Sequence, residues 1–376
     1  MADRILITCT DSMMKQFLEP HVKFLVENGF EIEIACSEVL NRFSEIQTDL
    51  SHLVRIHRLD LKRSPFAIKA HIKGYRELRK IISNGHFDLI WTNEPVMGVI
   101  TRLAAQKARK CGTKVLYMVH GFHFYSGAPI IKWLLFYPIE RLMAEKTDIL
   151  CTINREDYER AQTMGFSNVE YIHGVGINTD RMHSSDIQVD IRKELNLPGD
   201  AFLVLSVGEL NKNKNQQVII RAIGRLNDPR IHYLLCGKGD QHEKLERLAA
   251  RLGVKDQVHF LGYRNDVIDI CSQSDVFAMP SRREGMPVAL LEAMYCGLPL
   301  VNSNARGIAD VTENGLSGFI YNPDDSKCFS EGIKKLLNDP SLRMCMKRRN
   351  IEVAKQFCIE NTTAEILRLL EKSLNR

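Results

Sequence analysis

The sequence is short of the features that mark several protein classes. Its ten cysteines are scattered, with no C-x2-C pair and no Cys/His cluster at metal-ligand spacing. A zinc module is therefore not expected, and buried, reduced thiols in a cytoplasmic protein are. No apolar run reaches the roughly 20 residues that span a bilayer. The longest, around Ile130 to Ile139, is interrupted by Lys132. Met1 to Arg4 leads straight into Ile5-Leu6-Ile7-Thr8-Cys9, an apolar stretch too short for a signal-peptide core. There is no internal repeat and no low-complexity tract. No nucleic-acid-binding module or aromatic stacking motif accompanies the basic residues, so a nucleic-acid partner is not expected. No D-x-D motif stands in a site context, and no metal is expected.

What is present fits a soluble globular protein of more than one core. A chain of 376 residues suggests two domains, and 44% hydrophobic with 26% charged residues is ordinary. The net charge of +5 is unevenly placed. Lys62, Arg63, Lys69, Lys73, Arg76, Arg79 and Lys80 lie close together with only Glu77 among them. Arg102, Lys107, Arg109, Lys110 and Lys114 form a second run with no acid. Solvated helix faces are one reading. Attraction to membrane headgroups or a lipid diphosphate is the other.

Strands and helices alternate along the chain. In the first half, apolar strands are predicted near residues 5–9, 31–36, 87–92, 114–120 and 148–154. Helical patterns fall near 13–28, 68–83, 98–111 and 156–164. Repeated βα units imply a parallel sheet with helices on both faces, and functional residues then gather at the carboxyl ends of the strands. His120-Gly121-Phe122-His123-Phe124 stands at one such end. A polar stretch near Asp180 to Ile187 marks the domain boundary, giving domains 1–180 and 181–357 and a terminal helical segment, 358–376. The second half restarts with a strand near 202–207. Gly208 and a basic polar loop through Lys214 follow, then a helix from Gln217. That order reads as a phosphate-facing loop or as an ordinary surface loop. The strand near 231–236 leads into Gly237-Lys238-Gly239.

The most informative stretch is Arg283-Glu284-Gly285-Met286-Pro287-Val288-Ala289-Leu290-Leu291-Glu292-Ala293-Met294-Tyr295-Cys296-Gly297. It reads as a loop running into a helix, with Pro287 at the first helical position and Gly297 just past the end. A strand, a loop and a helix N-terminus make an anion site from free N–H groups and the helix dipole. Glu284 and Glu292 bracket it, the second roughly 7 to 8 Å along the axis from Pro287. Acidic acceptors on either side of a diphosphate suit a sugar and a ribose. Spacing alone is equally satisfied by a loop Glu and a solvated helix Glu.

The E-x7-E arrangement of Glu284 and Glu292, with Ser281-Arg282-Arg283-Glu284-Gly285 and Glu292-Ala293-Met294-Tyr295-Cys296-Gly297-Leu298-Pro299 around it, resembles the retaining nucleotide-sugar glycosyltransferases of family 4. The likeness extends over nearly the whole chain, which resembles bacterial capsule and exopolysaccharide enzymes of that family. It implies the α/β GT-B fold: two Rossmann-like domains facing a cleft, the first for the acceptor and the second for the donor, with a C-terminal helix crossing back to the first. It implies that Glu284 contacts the donor sugar, Glu292 the ribose hydroxyls and Lys214 the diphosphate. His120 resembles the family's H-G loop histidine facing the sugar, with His123 a weaker candidate. Gly208, Gly237, Gly285, Met286, Pro287 and Val288 match donor-side positions, and Tyr263 and Arg264 match the segment that holds the nucleobase. Asn265 or Asp266 capping the next helix explains that polar pair equally well. One departure stands out: Glu209 occupies a position where the family usually has Arg, so a second cation on the diphosphate would come from Lys212 or Arg283.

The resemblance implies transfer of a sugar from a nucleotide diphosphate sugar, UDP-linked, to an acceptor hydroxyl with retained anomeric configuration. The acceptor would be a saccharide or a lipid-linked saccharide in cell-surface polysaccharide synthesis. The place would be the cytoplasm or the inner face of its membrane. No cofactor, metal or protein nucleophile is implied. A GT-B sugar-nucleotide epimerase and a donor-binding, inactive partner subunit are the competing readings.

Overall fold

A computed structural model describes residues 2–10, 15–37, 50–62, 64–174, 176–179, 182 and 189–374, without the side chains of residues 15–17. Arg63, the loop 11–14 and most of the expected boundary at 180–187 lie outside the described residues. The chain forms two compact units, Met1–Gly176 with Ile359–Arg376, and Ile177–Cys358.

The first unit holds a seven-stranded sheet of order β3-β2-β1-β4-β5-β6-β7. Its strands are β1 (Arg4–Cys9), β2 (Glu31–Ser37), β3 (Arg55–Leu59), β4 (Leu89–Asn93), β5 (Lys114–Val119), β6 (Ile149–Thr152) and β7 (Val169–Tyr171). Every pairing is parallel. Central strands are apolar on both faces because helices cover both, and all five residues of β4 are buried. The charged strand β3 had no strand signal, because it is an edge strand. Its His57 and Arg4 of β1 both bond Glu33 of β2, at 2.5 and 2.6 Å.

The second unit holds a six-stranded parallel sheet of order β10-β9-β8-β11-β12-β13. Its strands are β8 (Phe202–Val207), β9 (Ile231–Cys236), β10 (Val258–Gly262), β11 (Val276–Met279), β12 (Leu300–Ser303) and β13 (Gly318–Tyr321). The strand order reverses beside β1 in the first sheet and beside β8 in the second, and each reversal is a topological switch point. Ligands of such sheets bind outside the strand carboxyl ends there.

The chain enters the second unit at Ile177, slightly before the boundary drawn from sequence. The Ile177 amide donates to the Phe357 carbonyl at 2.7 Å, and Ile177 pairs with Cys358 in an isolated parallel bridge. The terminal helix Ile359–Leu374 belongs to the first unit. Ile366, Leu369 and Leu370 are buried, Glu365 pairs with His173 at 2.6 Å, and Lys372 pairs with Glu170 at 2.9 Å.

Two members of the second basic run are tied to acids, whereas Lys107, Lys110 and Lys114 are exposed. Arg102 is fully buried, bonded to Glu140 at 2.8 Å and stacked over Tyr117 at 4.1 Å. Arg109 is held by both oxygens of Asp148, at 2.9 and 2.8 Å. Each counterion lies nearly forty residues away in the chain, beyond any local charge count. In the first run Lys62, Lys69, Arg76, Arg79 and Lys80 are exposed, as is Lys73, which pairs with Asp60 at 2.7 Å.

Candidate active site

The second sheet's switch point gathers most of the expected donor residues. Gly208 follows β8 with φ +144°, and Gly237 follows β9 with φ +153°. A Cβ on Gly237 would sit 1.9 Å from the Gly208 carbonyl oxygen, so the two loops touch through bare backbone. Lys214 reaches over Gly208, and its Nζ bonds Glu284 Oε1 at 2.8 Å. Both partners are largely withdrawn from solvent. Thus Gly208, Lys214 and Glu284, 76 residues apart at the extremes, meet at the carboxyl ends of β8 and β11.

The loop before the helix is pinned to the loop after β8. The Arg282 amide donates to the Asn213 carbonyl at 2.8 Å, and Asn213 Nδ2 donates to the Arg283 carbonyl at 2.9 Å. Gly307, which the sequence reading did not single out, lets a third loop close against Gly285. A Cβ there would lie 2.0 Å from the Gly285 carbonyl oxygen. Its signal was a glycine in the polar loop after β12.

The helix begins one residue later than expected, at Val288, with Pro287 extended at φ −81°, ψ 100° as the N-cap. Proline has no side-chain acceptor to cap the helix, and the first turn contains no acid. The leading N–H groups therefore suit an external anion. Leu290, Leu291, Ala293 and Met294 are buried and hold the helix in place, while Met286 is buried beneath the loop. Glu292 lies half-buried on the same helix.

The expected base-side pair divides. Tyr263 is 68% exposed. Arg264 is bonded to both oxygens of Glu194, at 2.7 and 3.0 Å, and to both of Asp266, at 2.8 and 2.6 Å. Those hydrogen bonds raise the Arg264 pKa above its usual value, and the Arg264 bond holds the Asp266 carboxyl low. Asp266 occupies the N-cap position, but its side chain serves Arg264 rather than the helix. Glu209 is exposed and accepts from Asn211 Nδ2 at 2.9 Å. Lys212 is also exposed.

His120 stands at the end of β5 in the first unit, where its Nε2 meets Asn93 Oδ1 at 3.0 Å. Asn93 Nδ2 donates to the Thr8 carbonyl, which leaves Oδ1 to accept and assigns the His120 proton to Nε2. Burial pushes the His120 pKa down to about 4, so the ring is neutral near pH 7. His123 packs against Phe136 with ring centroids 4.6 Å apart, while Phe122 and Phe124 enter the core.

The structure adds a residue that sequence reasoning missed. Glu94 follows β4 with φ +66° and ψ 151°, a region occupied almost only by glycine. Its Oε2 accepts from the Thr10 amide at 2.6 Å. The Thr10 hydroxyl is buried and finds no hydrogen-bond partner among the described residues. The helix expected from Gly98 begins at Pro95, which makes Glu94 the N-cap. The signal was Glu94-Pro95 directly after an apolar strand, because proline forces the preceding residue away from helical geometry.

Two parallel doubly wound sheets, with an uncapped helix N-terminus at the switch point of the second, match the architecture of GT-B glycosyltransferases. The description "Glycosyl transferases group 1" matches residues 188–353, and "Glycosyl transferase 4-like domain" matches residues 16–173. The chain is 34% identical to EpsD of Bacillus subtilis (strain 168), a glycosyltransferase by name, over 97% of this chain and 96% of that protein. It is 26% identical to the UDP-Gal:alpha-D-GlcNAc-diphosphoundecaprenol alpha-1,3-galactosyltransferase of Escherichia coli, over 90% and 88% of the two chains. Among solved structures, Anabaena Alr3699/HepE in complex with UDP and glucose superposes with a TM-score of 0.80 at 19% identity, covering 98% of this chain and 100% of that one. The chain belongs to the group 1, family 4-like glycosyltransferases.

Proposed function

We propose that this glycosyltransferase moves a sugar from a UDP-sugar to a hydroxyl of a lipid-linked saccharide, with retention and without a metal. The observation that carries the reading is the Lys214–Glu284 pair beside Gly208. Breaking the glycosidic bond leaves negative charge on the diphosphate. Lys214 and the N–H groups opening the helix at Val288 stabilise that charge. Glu284 then turns from Lys214 to the sugar hydroxyls, and Glu292 takes the ribose. The departing phosphate helps to deprotonate the acceptor hydroxyl, so no protein nucleophile is assigned. Neutral His120 positions the sugar through hydrogen bonding, and Thr10 and Glu94 receive acceptor hydroxyls. Support for the donor comes from the relatives, two of which carry UDP or UDP-galactose in their names.

The test is turnover of UDP-sugars with product analysis by NMR, beside UDP titration. Lys214→Ala should weaken UDP binding and slow transfer while the protein stays folded, because a loop cation adds little stability. Transfer should persist in EDTA, and the new linkage should keep the donor's anomeric configuration. Unchanged UDP affinity in Lys214→Ala removes Lys214 from the site. Inactivation by EDTA with rescue by magnesium rejects the metal-free account.

A lipid-linked acceptor also calls for a membrane-facing surface. Phe66, Ile68, Ile130, Ile131, Leu134 and Leu142 of the first unit are each more than 60% exposed. Their two segments contribute Pro65, Phe136 and Ile139 to one apolar cavity of about 150 Å³. Exposed Lys62 and Lys69 adjoin the first segment. No helix among the described residues is long and apolar enough to cross a membrane. Anionic vesicles should therefore bind the protein better than neutral ones, with the difference shrinking as salt rises. Equal binding to both returns these lysines to the role of solvated surface.

A further inference from the structure

The second unit contains a cavity that the proposed donor site does not use. It has a volume of about 390 Å³, within the usual range for small-molecule sites. The helices Gln217–Leu226 and His242–Arg251 and the loop after β8 line it. Neither Lys214 nor Glu284 is among the lining residues.

Its charge is one-sided. Lys212, Arg221, Lys244, Arg247, Arg251 and Arg282 line it, and among the described residues no carboxylate does. Arg282 is held by Asp324, with one contact at 2.8 Å, and Arg247 is 3.9 Å from Glu243. Lys212, Arg221, Lys244 and Arg251 form no ion pair with any described residue. Four unpaired cations around one cavity repel one another, and an anion between them relieves that repulsion.

Charge alone does not describe the cavity. Gln216 is 4% exposed, and its Nε2 donates to the Glu209 carbonyl at 3.0 Å. Its Oε1 finds no hydrogen-bond donor among the described residues, although it is buried and Gln216 lines the cavity. A buried amide oxygen left in this state is destabilising. An anion without a proton, such as sulfate, cannot satisfy it, whereas a hydroxyl can. Asn211, Gln217 and Gln241 add further neutral donors and acceptors, and Leu245 and Leu248 form an apolar strip. Cations, amides and a short apolar wall together match phosphate oxygens, hydroxyls and the C–H face of a pyranose.

We propose that this cavity is a second ligand site and that it binds a soluble sugar phosphate. The phosphate lies among the arginines and lysines of the two helices, and a ring hydroxyl donates to Gln216 Oε1. The site is separate from the donor position but shares the loop 211–216 with it. Asn211 lines the cavity while its Oδ1 accepts from the Lys214 amide at 2.9 Å.

Isothermal titration with glucose 1-phosphate, in the presence of saturating UDP, tests the proposal. One saturable site is expected, binding glucose 1-phosphate more tightly than inorganic phosphate or glucose. The double variant Arg221→Glu/Arg247→Glu should weaken it by about tenfold or more, because two charge-assisted contacts become repulsive. Both positions are exposed on helices, so the fold should survive, and UDP affinity should be unchanged. Lys214→Ala should leave glucose 1-phosphate binding at this site intact. Absence of saturable binding, or binding unaffected by the double variant, overturns the proposal. Equal affinity for inorganic phosphate and glucose 1-phosphate overturns the assignment to a sugar phosphate. If UDP fails to bind at all, the donor assignment fails, while the double variant still decides this second site.

Discussion

The two switch points share a topology and differ in what they present. In the second unit, Gly208 and Gly237 bring bare backbone together, Lys214 and Glu284 pair above it, and the helix at Val288 opens with neither a side-chain cap nor an acid. In the first unit Glu94 is the N-cap residue of the helix at Pro95, which also lacks a side-chain cap, and the Glu94 carboxylate is held on the Thr10 amide instead. Beside it are Thr10, Asn93 and a neutral His120. Under the proposed function, one crevice receives the diphosphate and the other the acceptor hydroxyls. Topology fixes where a ligand can sit, and a few side chains at the helix start decide which charge is welcome.

The sharpest test of this contrast is the chemistry of the second unit. Glu284→Gln should lower kcat by about 10²-fold or more if the carboxylate acts on the reacting sugar. UDP lacks the transferred sugar assigned to Glu284, and the variant releases Lys214 from its carboxylate partner, so UDP affinity should hold or rise. Glu292→Gln should instead raise the donor KM and weaken UDP by about tenfold, with kcat less affected. Steady-state kinetics and UDP titration on both variants check the assignment. Loss of UDP affinity in Glu284→Gln with retention in Glu292→Gln reverses the two roles.

The first unit offers a smaller effect with an unusual sign. Glu94→Gly and Glu94→Ala both remove the carboxylate, but only glycine accepts φ +66°, ψ 151° without strain. Such strain costs on the order of 1–3 kcal/mol, more than the usual backbone penalty for glycine. Thermal or urea unfolding should therefore rank Glu94→Gly above Glu94→Ala by about 1 kcal/mol. Both variants should slow transfer to acceptor yet leave UDP affinity unchanged. A loss of UDP affinity in either would break the division of labour between the units.

The smallest effect on activity concerns pH. His120 titrates near pH 4 in the folded protein and near 6.5 when unfolded. Between those values the unfolded chain binds a proton that the folded site refuses, so stability falls as pH drops through this window and is flat above it. His120→Gln should lessen that acid sensitivity. His120 itself should put no break in the activity profile between about pH 6.5 and 8. A break there that vanishes in His120→Gln would show that the ring is charged in the working enzyme.

Much of this was legible because it is local. Alternating apolar strands and helical patterns fixed the doubly wound class, since burial on both faces leaves its mark within a few residues of chain. Gly208, Gly237, Lys214 and the Glu284 to Glu292 spacing were readable as motifs because the tight turns and the helix start that carry them are themselves short. By itself, then, the sequence determined the α/β architecture, the family and the candidate donor loops. The tertiary structure decided which charges meet. Arg102 reads as surface charge until Glu140 is brought to it, and the Arg264 side chain is met by Glu194 from 70 residues away as well as by Asp266. Glu94 reads as an ordinary loop acid until β4 and the helix at Pro95 fix its backbone. Lys214 and Glu284 are 70 residues apart and become partners only through the register of β8 beside β11. Pairing of charges depends on distances of a few ångströms across the sheet, and composition along the chain carries no record of them.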